Sequence, residues 1–248
     1  MPEQVVLSWS GGKDCALALG ALRRDPRFEV AALVSGFCGK TDRIAIHEVR
    51  RELIREQAAA LAMRLDEIEL PASASNIEYE TAWSDYFATC PARGIGHVAF
   101  GDLFLADIRV YRERLIACVG LKSLFPLWGR ATDELAGTLI RDGWQAVVCS
   151  VDPSRLATTF VGRLYDTTFL AELPPAIDPC GENGEFHTFV YDGPEFTRPV
   201  IWKRGETHRG TAVEFVELLS GSNTIDTVRV TPRNGDIAGQ RASACRSS

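Results

Sequence analysis

Val5-Val6-Leu7-Ser8-Trp9-Ser10-Gly11-Gly12-Lys13-Asp14-Cys15 is the stretch on which the reading of the fold turns. An apolar run of this kind predicts a short buried strand. Two glycines then turn the chain into a helix expected from Lys13 to about Leu22. A strand that enters a helix through two glycines aims several backbone N–H groups at one point, where the helix N-terminus adds partial positive charge. Glycine suits the turn because a Cβ would block both positive φ and the approach of an anion. Lys13 adds a mobile positive charge and Ser10 a hydroxyl donor. The guest that fits is a phosphate.

The spacing is not that of Walker A, which needs four residues between its glycine and Gly-Lys-Ser/Thr. Ser10-Gly11-Gly12-Lys13-Asp14-Cys15 instead resembles the SGGKDS loop of the PP-loop ATP pyrophosphatases, with Cys15 where that family usually has Ser. Those enzymes cleave ATP between its α and β phosphates and use the AMP half to activate a substrate. Cys15 is read as supporting the loop and not as a nucleophile. A helix N-terminus lowers a thiol pKa, however, so thiol chemistry is the competing reading.

The 248 residues can bury a sizeable core. Hydrophobic content of 46% and charged content of 24% are ordinary for a globular protein. With 27 Lys plus Arg against 33 Asp plus Glu, the net charge of -6 argues against a general nucleic-acid partner. Met1 to Gln4 leads straight into the strand and no apolar run approaches membrane-spanning length, so a cytoplasmic location is expected. Seven cysteines without a C-x-x-C pair, and histidines at 47, 97, 187 and 208, give no zinc spacing.

Strand and helix patterns alternate through the first part of the chain. Strands are expected at Phe28 to Gly36, Leu65 to Leu70 and Gly96 to Asp102. Amphipathic helices are expected from His47 to about Arg64, after a cap at Asn76, and from about Ala106 to Val119. This predicts an α/β fold: a parallel, Rossmann-like nucleotide-binding sheet, followed by a smaller α+β C-terminal domain. The expected division is 1–125, 126–205 and a partly ordered tail over 206–248. Such sheets bind ligands at the carboxyl ends of their strands. The Ser10 loop, Ser35 and Gly101-Asp102 all fall there. Asp102 has three readings: a ribose ligand, a magnesium ligand, or a carboxylate beside a helix N-terminus.

Beyond Pro126-Leu127-Trp128-Gly129, a helix is expected from Thr132 or Asp133 to Arg141 and a strand from Trp144 to Val151. Leu156 to Leu170 reads as helix in two pieces. A strand around Thr188 to Tyr191 is expected to pair with Pro199 to Lys203, and the tail offers one further strand at Thr227 to Val230. Asp178, Glu182, Glu185 and His187 crowd into one loop with Gly181 and Gly184. Carboxylates this close repel, so a cation, an amine or backbone N–H groups must compensate, unless the loop is simply a solvated turn.

Taken together, the Ser10 loop, Gly101-Asp102, Pro126-Leu127-Trp128, the Asp152 to Arg163 run and Cys180-Gly181-Glu182-Asn183-Gly184-Glu185 resemble the diphthine–ammonia ligase family over about residues 4 to 203. His187 looks more like the family's bacterial branch, whose acceptor need not be diphthine. The resemblance implies ATP with Mg²⁺, ammonia and a carboxylate acceptor as reactants. It also implies an acyl-adenylate intermediate, with nucleotide held by Ser10, Gly11, Gly12, Lys13, Asp14, Cys15, Ser35, Gly101 and Asp102. Asp14 is the candidate Mg²⁺ ligand; its plainer reading is a first-turn acid favoured by the helix dipole. Cys180, Gly181, Glu182, Asn183, Gly184 and Glu185 are the candidate acceptor and ammonia residues. A homodimer is compatible with this reading. The alternative function is a protein that binds ATP or AMP and signals by shape change without turnover.

Overall fold

The computed structural model describes residues 1–72, 74–210 and 212–221. The predicted strand at 227–230 and the stretch from 235 to 248 lie outside the described residues. The first half of the chain runs β1 (Glu3–Ser8), α1 (Lys13–Arg24), β2 (Phe28–Cys38), α2 (Arg51–Ala60), β3 (Leu65–Leu70), α3 (Asn76–Thr89), β4 (Ile95–Ala99), α4 (Ala106–Ala117) and β5 (Lys122–Leu124). These strands form a wholly parallel sheet of order β3-β2-β1-β4-β5. The chain reverses its direction of travel across the sheet between β1 and β4. That is the switch point at which an open α/β sheet leaves a crevice.

The second half contributes α5 (Thr132–Arg141), β6 (Gln145–Val151), α6 (Thr167–Glu172), β7 (Phe186–Asp192), β8 (Trp202–Arg209) and β9 (Glu214–Ser220). Its strands form a smaller antiparallel sheet of order β7-β6-β9-β8. The fold is therefore α/β with a smaller α+β part, as the strand–helix alternation predicts. Five local expectations are corrected. The stretch from 206, read as a tail with one strand at 227–230, holds the end of β8 and all of β9, which pairs with β6 and β8. Residues 199–203 do not pair with β7 as a strand; Val200 N–H reaches Tyr191 carbonyl (2.7 Å), but the strand that follows pairs with β9. The helix expected from His47 begins only at Arg51, because Ile46 and Glu48 take positive φ. It ends at Ala60, and Ala62 also takes positive φ. The cap of α3 is Ser75 and not Asn76: Ser75 and Glu78 form a reciprocal capping box.

One apolar core runs from the parallel sheet into the second sheet. Val5, Leu7, Leu17, Leu53 and Ile54 pack in the same cluster as Leu135, Val147, Phe169, Phe186 and Phe189. The opposite face of the parallel sheet has its own core, made by Val6, Val34, Trp83, Phe87, Leu115 and Ile116 under α3 and α4. The second sheet thus covers the α1–α2 side, and the crevice at the switch point lies at its border.

Candidate functional site

The Ser10 loop is built by contacts from three directions. Gly11 has φ +80°, and a Cβ there would meet Ile54 Cδ1 at 2.6 Å and Gln57 Oε1 at 2.7 Å. Its carbonyl accepts from Gln57 Nε2 (2.9 Å) and from Val190 N–H of β7 (2.9 Å). Gln57, fully buried, also donates to Val190 carbonyl (2.6 Å) and accepts from Trp9 Nε1 (2.9 Å). Lys13 N–H donates to Thr188 Oγ1 (3.0 Å). The loop that the sequence places after β1 is therefore anchored by α2 and by β7. Gly101, at the end of β4, comes so close to α1 that a Cβ would lie 2.9 Å from the Asp14 carbonyl carbon.

Above this loop is a cavity of about 260 Å³, lined among others by Ser10, Lys13, Asp14, Cys15, Gly101 and Asp102 on one side and Gly181 and Glu182 on the other. Lys13 is buried and its Nζ lies 2.9 Å from Asp14 Oδ2. Burial alone would pull the Lys13 pKa down, but Asp14, Cys180 and Glu182 outweigh it and hold the ammonium charged. Burial pushes Asp102 up, and Arg112 only partly offsets this. Asp14 Oδ1 and Asp102 Oδ2 are buried without a hydrogen-bond partner among the described residues. Cys15 Sγ donates to Gly12 carbonyl (3.0 Å), and burial pushes its thiol up to about 11. Protonated and donating to the loop, the thiol has the geometry of a loop support.

The acidic loop offsets part of its repulsion with its own donors, while Glu185 Oε2 is buried without a hydrogen-bond partner among the described residues. Asp178 Oδ1 accepts from the N–H groups of Cys180 (2.8 Å) and Glu182 (3.3 Å), and its other oxygen from Thr132 Oγ1 (2.7 Å). Glu185 turns inward, with Oε1 accepting from Asn183 Nδ2 (3.0 Å) and Asp178 N–H (3.3 Å). Glu182 faces the cavity. Its Oε1 accepts from Leu103 N–H (2.8 Å), and Leu103 carbonyl in turn accepts from Gly129 N–H (2.8 Å). The Pro126 to Gly129 segment thus fixes the donor that holds Glu182. Burial, together with the Asp14 and Asp102 charges, raises Glu182 to about 7, although Leu103 and Lys13 act against it.

A second, mostly apolar cavity of about 360 Å³ adjoins the first, walled by Ile44, Leu70, Tyr79 and Trp83. Ser8, Ser10, His47, Arg112 and His187 line both. The His47 and His187 rings lie 4.7 Å apart. Burial lowers His47 to about 4, and burial, His47 and Lys13 hold His187 well below its ordinary value, so both imidazoles are neutral. His47 Nδ1 lies 3.1 Å from Thr188 carbonyl, which fixes the proton on Nδ1.

Family models now meet this geometry. The diphthamide synthase N-terminal domain matches residues 3–123, and the diphthamide synthase C-terminal domain matches residues 131–216. The chain belongs to the diphthamide synthase family. Relatives called diphthine–ammonia ligase are 29% identical over 133 residues in Bos taurus (49% of this chain, 48% of that protein) and 26% over 146 residues in Rattus norvegicus (54% of each). In Schizosaccharomyces pombe the match is 27% over 108 residues, covering 42% of this chain and 18% of that protein. The chain thus aligns with about half the length of the mammalian relatives.

Within this member of the family, the sequence-chosen residues divide into two groups. Ser10, Lys13, Asp14, Cys15, Gly101, Asp102, Gly181 and Glu182 line the first cavity. Gly11, Gly12 and Ser35 do not: the glycines form the turn between Ser10 and Lys13, and Ser35 is buried with its hydroxyl donating to Trp9 carbonyl (2.6 Å). Cys180, Asn183, Gly184 and Glu185 shape the acidic loop from behind, and Cys180 Sγ donates to Thr132 carbonyl (3.3 Å). Sequence reasoning missed His47, Arg112 and Thr188. His47 falls within a helical pattern, Arg112 within an ordinary amphipathic helix and Thr188 within a strand pattern; no local signal marks any of them. No helix among the described residues is long and apolar enough to cross a membrane.

Proposed function

We propose that this protein is an ATP-dependent, amide-forming ligase that adenylates a carboxylate acceptor and passes the acyl group to ammonia. The observation that carries this reading is the single cavity with Lys13 and its loop on one wall and Glu182 on the other. The β and γ phosphates lie on the Lys13 ammonium and the Ser10 hydroxyl, the Lys13 N–H being spent on Thr188 Oγ1, and the purine fills the apolar cavity beside Trp83 and Tyr79. An acceptor carboxylate oxygen attacks the α-phosphorus. The bond to the bridging oxygen breaks, and pyrophosphate leaves with the electron pair. The fixed charge of Lys13 stabilises that growing charge.

Ammonium then meets Glu182, whose ionised carboxylate holds it and takes one proton. The freed ammonia attacks the acyl carbon, AMP leaves, and loss of a second proton gives the amide. Asp14 and Asp102 fit a magnesium ion through their unpartnered oxygens. Among the described residues no cluster of three His, Cys, Asp or Glu side chains is placed to hold a metal alone. Magnesium commonly needs only one or two carboxylates, with substrate phosphates and water completing its shell. When bound, it neutralises phosphate charge.

Mass spectrometry of AMP, pyrophosphate and amide, with candidate carboxylates and ammonium supplied, tests the proposal. AMP and amide should form in equal amounts, and Lys13→Ala should abolish pyrophosphate release while the chain stays folded. Tight ATP binding with no pyrophosphate release from any acceptor would favour the regulatory reading.

A further inference from the structure

We propose that Arg112 forms a second anion subsite, separate from the Lys13 loop, that holds the α-phosphate of the nucleotide and afterwards the phosphate of AMP or of an acyl-adenylate. The proposal rests on the nucleotide reading above and adds a residue and a division of labour to it.

The argument begins from the two adjoining cavities. One is polar and contains Lys13; the other is walled by Leu70, Tyr79 and Trp83. A nucleoside triphosphate with its base in the apolar cavity and its terminal phosphates at Lys13 must pass its α-phosphate along the wall the two share. That wall is Ser8, Ser10, His47, Arg112 and His187. An anion there needs a cation. Both imidazoles are neutral, which leaves Arg112 as the positive charge on the shared wall.

Arg112 is also placed as a waiting donor. Its Nε is buried with no hydrogen-bond partner among the described residues and holds only an ion pair with Asp102 Oδ2 at 3.6 Å, longer than a hydrogen bond. The guanidinium lies over the Phe100 ring, 5.0 Å from its centroid, so the plane is fixed by packing. A planar guanidinium whose Nε–H is unspent matches two oxygens of a phosphate, which a lysine cannot do in the same way. Its charge would oppose the negative charge that accumulates on the equatorial oxygens as a carboxylate attacks phosphorus.

Calorimetric titration of the full chain with AMP, adenosine and pyrophosphate separates the two subsites. Arg112→Met should weaken AMP by about 10- to 100-fold, the worth of a charge-assisted hydrogen-bonded contact. It should leave adenosine and pyrophosphate within about twofold. Lys13→Met should weaken pyrophosphate and spare adenosine. If Arg112→Met fails to fold, Arg112→Lys keeps the charge without the fork and should weaken AMP alone, by about 3- to 10-fold. Unchanged AMP affinity in a folded Arg112 variant would overturn the subsite. So would parallel loss of AMP and adenosine. A wild-type protein that binds pyrophosphate but not AMP overturns the subsite and spares the Lys13 loop; one that binds none of the three overturns the nucleotide reading itself.

Discussion

Glu182 and Glu185 are three positions apart, yet their surroundings give them different work. Glu185 satisfies its loop through Asn183 and Asp178, whereas Glu182 holds one backbone N–H and looks into the cavity. Glu182→Gln should therefore abolish amide formation but leave ATP affinity within a few-fold. Glu185→Gln should act mainly by loosening the loop, with its loss seen first in thermal stability. The pH dependence follows from burial. A carboxyl raised to about 7 is ionised only as pH climbs through that value, so ammonium-dependent turnover should rise through about pH 7 in the wild type. The stability linkage has the same origin: a raised folded pKa favours the protonated, folded form. That contribution is complete below about pH 4.5 and is lost as pH rises through about 7. A melting-temperature series from pH 4 to 9 should show this loss in the wild type and not in Glu182→Gln. Cys15→Ser should keep pyrophosphate release within a few-fold, since a hydroxyl can donate to Gly12 carbonyl as the thiol does. Complete inactivation, or rapid loss on alkylation, would point to thiolate chemistry instead.

The elements that carry the site are tied together at Gln57. This α2 side chain bonds the Gly11 carbonyl, Val190 of β7 and the Trp9 indole, all in the buried interior. Gln57→Leu removes three bonds and strands buried polar groups, which costs about 1–3 kcal/mol for each group left unmade. The variant should lose several kcal/mol in urea unfolding, and pyrophosphate affinity should fall with it because the Gly11 turn is no longer held. Full pyrophosphate affinity in a folded variant would show that the loop is rigid by itself. The loop before α2 is likewise fixed from outside: Ser150 Oγ donates to Ile46 carbonyl (2.7 Å), and Arg43 and Arg50 both pair with Glu217 of β9. Ile46, a β-branched residue, is held at φ +67° by these contacts. His47 reaches both cavities as a consequence of that hold.

At the scale of the whole molecule, one core spans both sheets, so they should unfold together. Scanning calorimetry should give a single transition that shifts upward with ATP and magnesium, and two separable transitions would contradict a shared core. The sequence by itself determined the alternating parallel sheet, the turn after β1 and the acidic loop. Each is a local consequence of apolar runs, of glycine at a turn, or of carboxylates crowded between glycines. The cap of α3 is a different case: Ser75 and Glu78 close a capping box within three residues, a local signal that the choice of Asn76 passed over. Only the tertiary structure decided which carboxylate looks into the cavity, that Ser35 is spent on Trp9 carbonyl, and that His47, Arg112 and Thr188 share a cavity with the Ser10 loop. These residues are up to 141 positions apart, as His47 and Thr188 are. Their local patterns are those of ordinary helix and strand, because a side chain's direction toward a distant partner is set by how the second sheet docks, and no short-range periodicity encodes that docking.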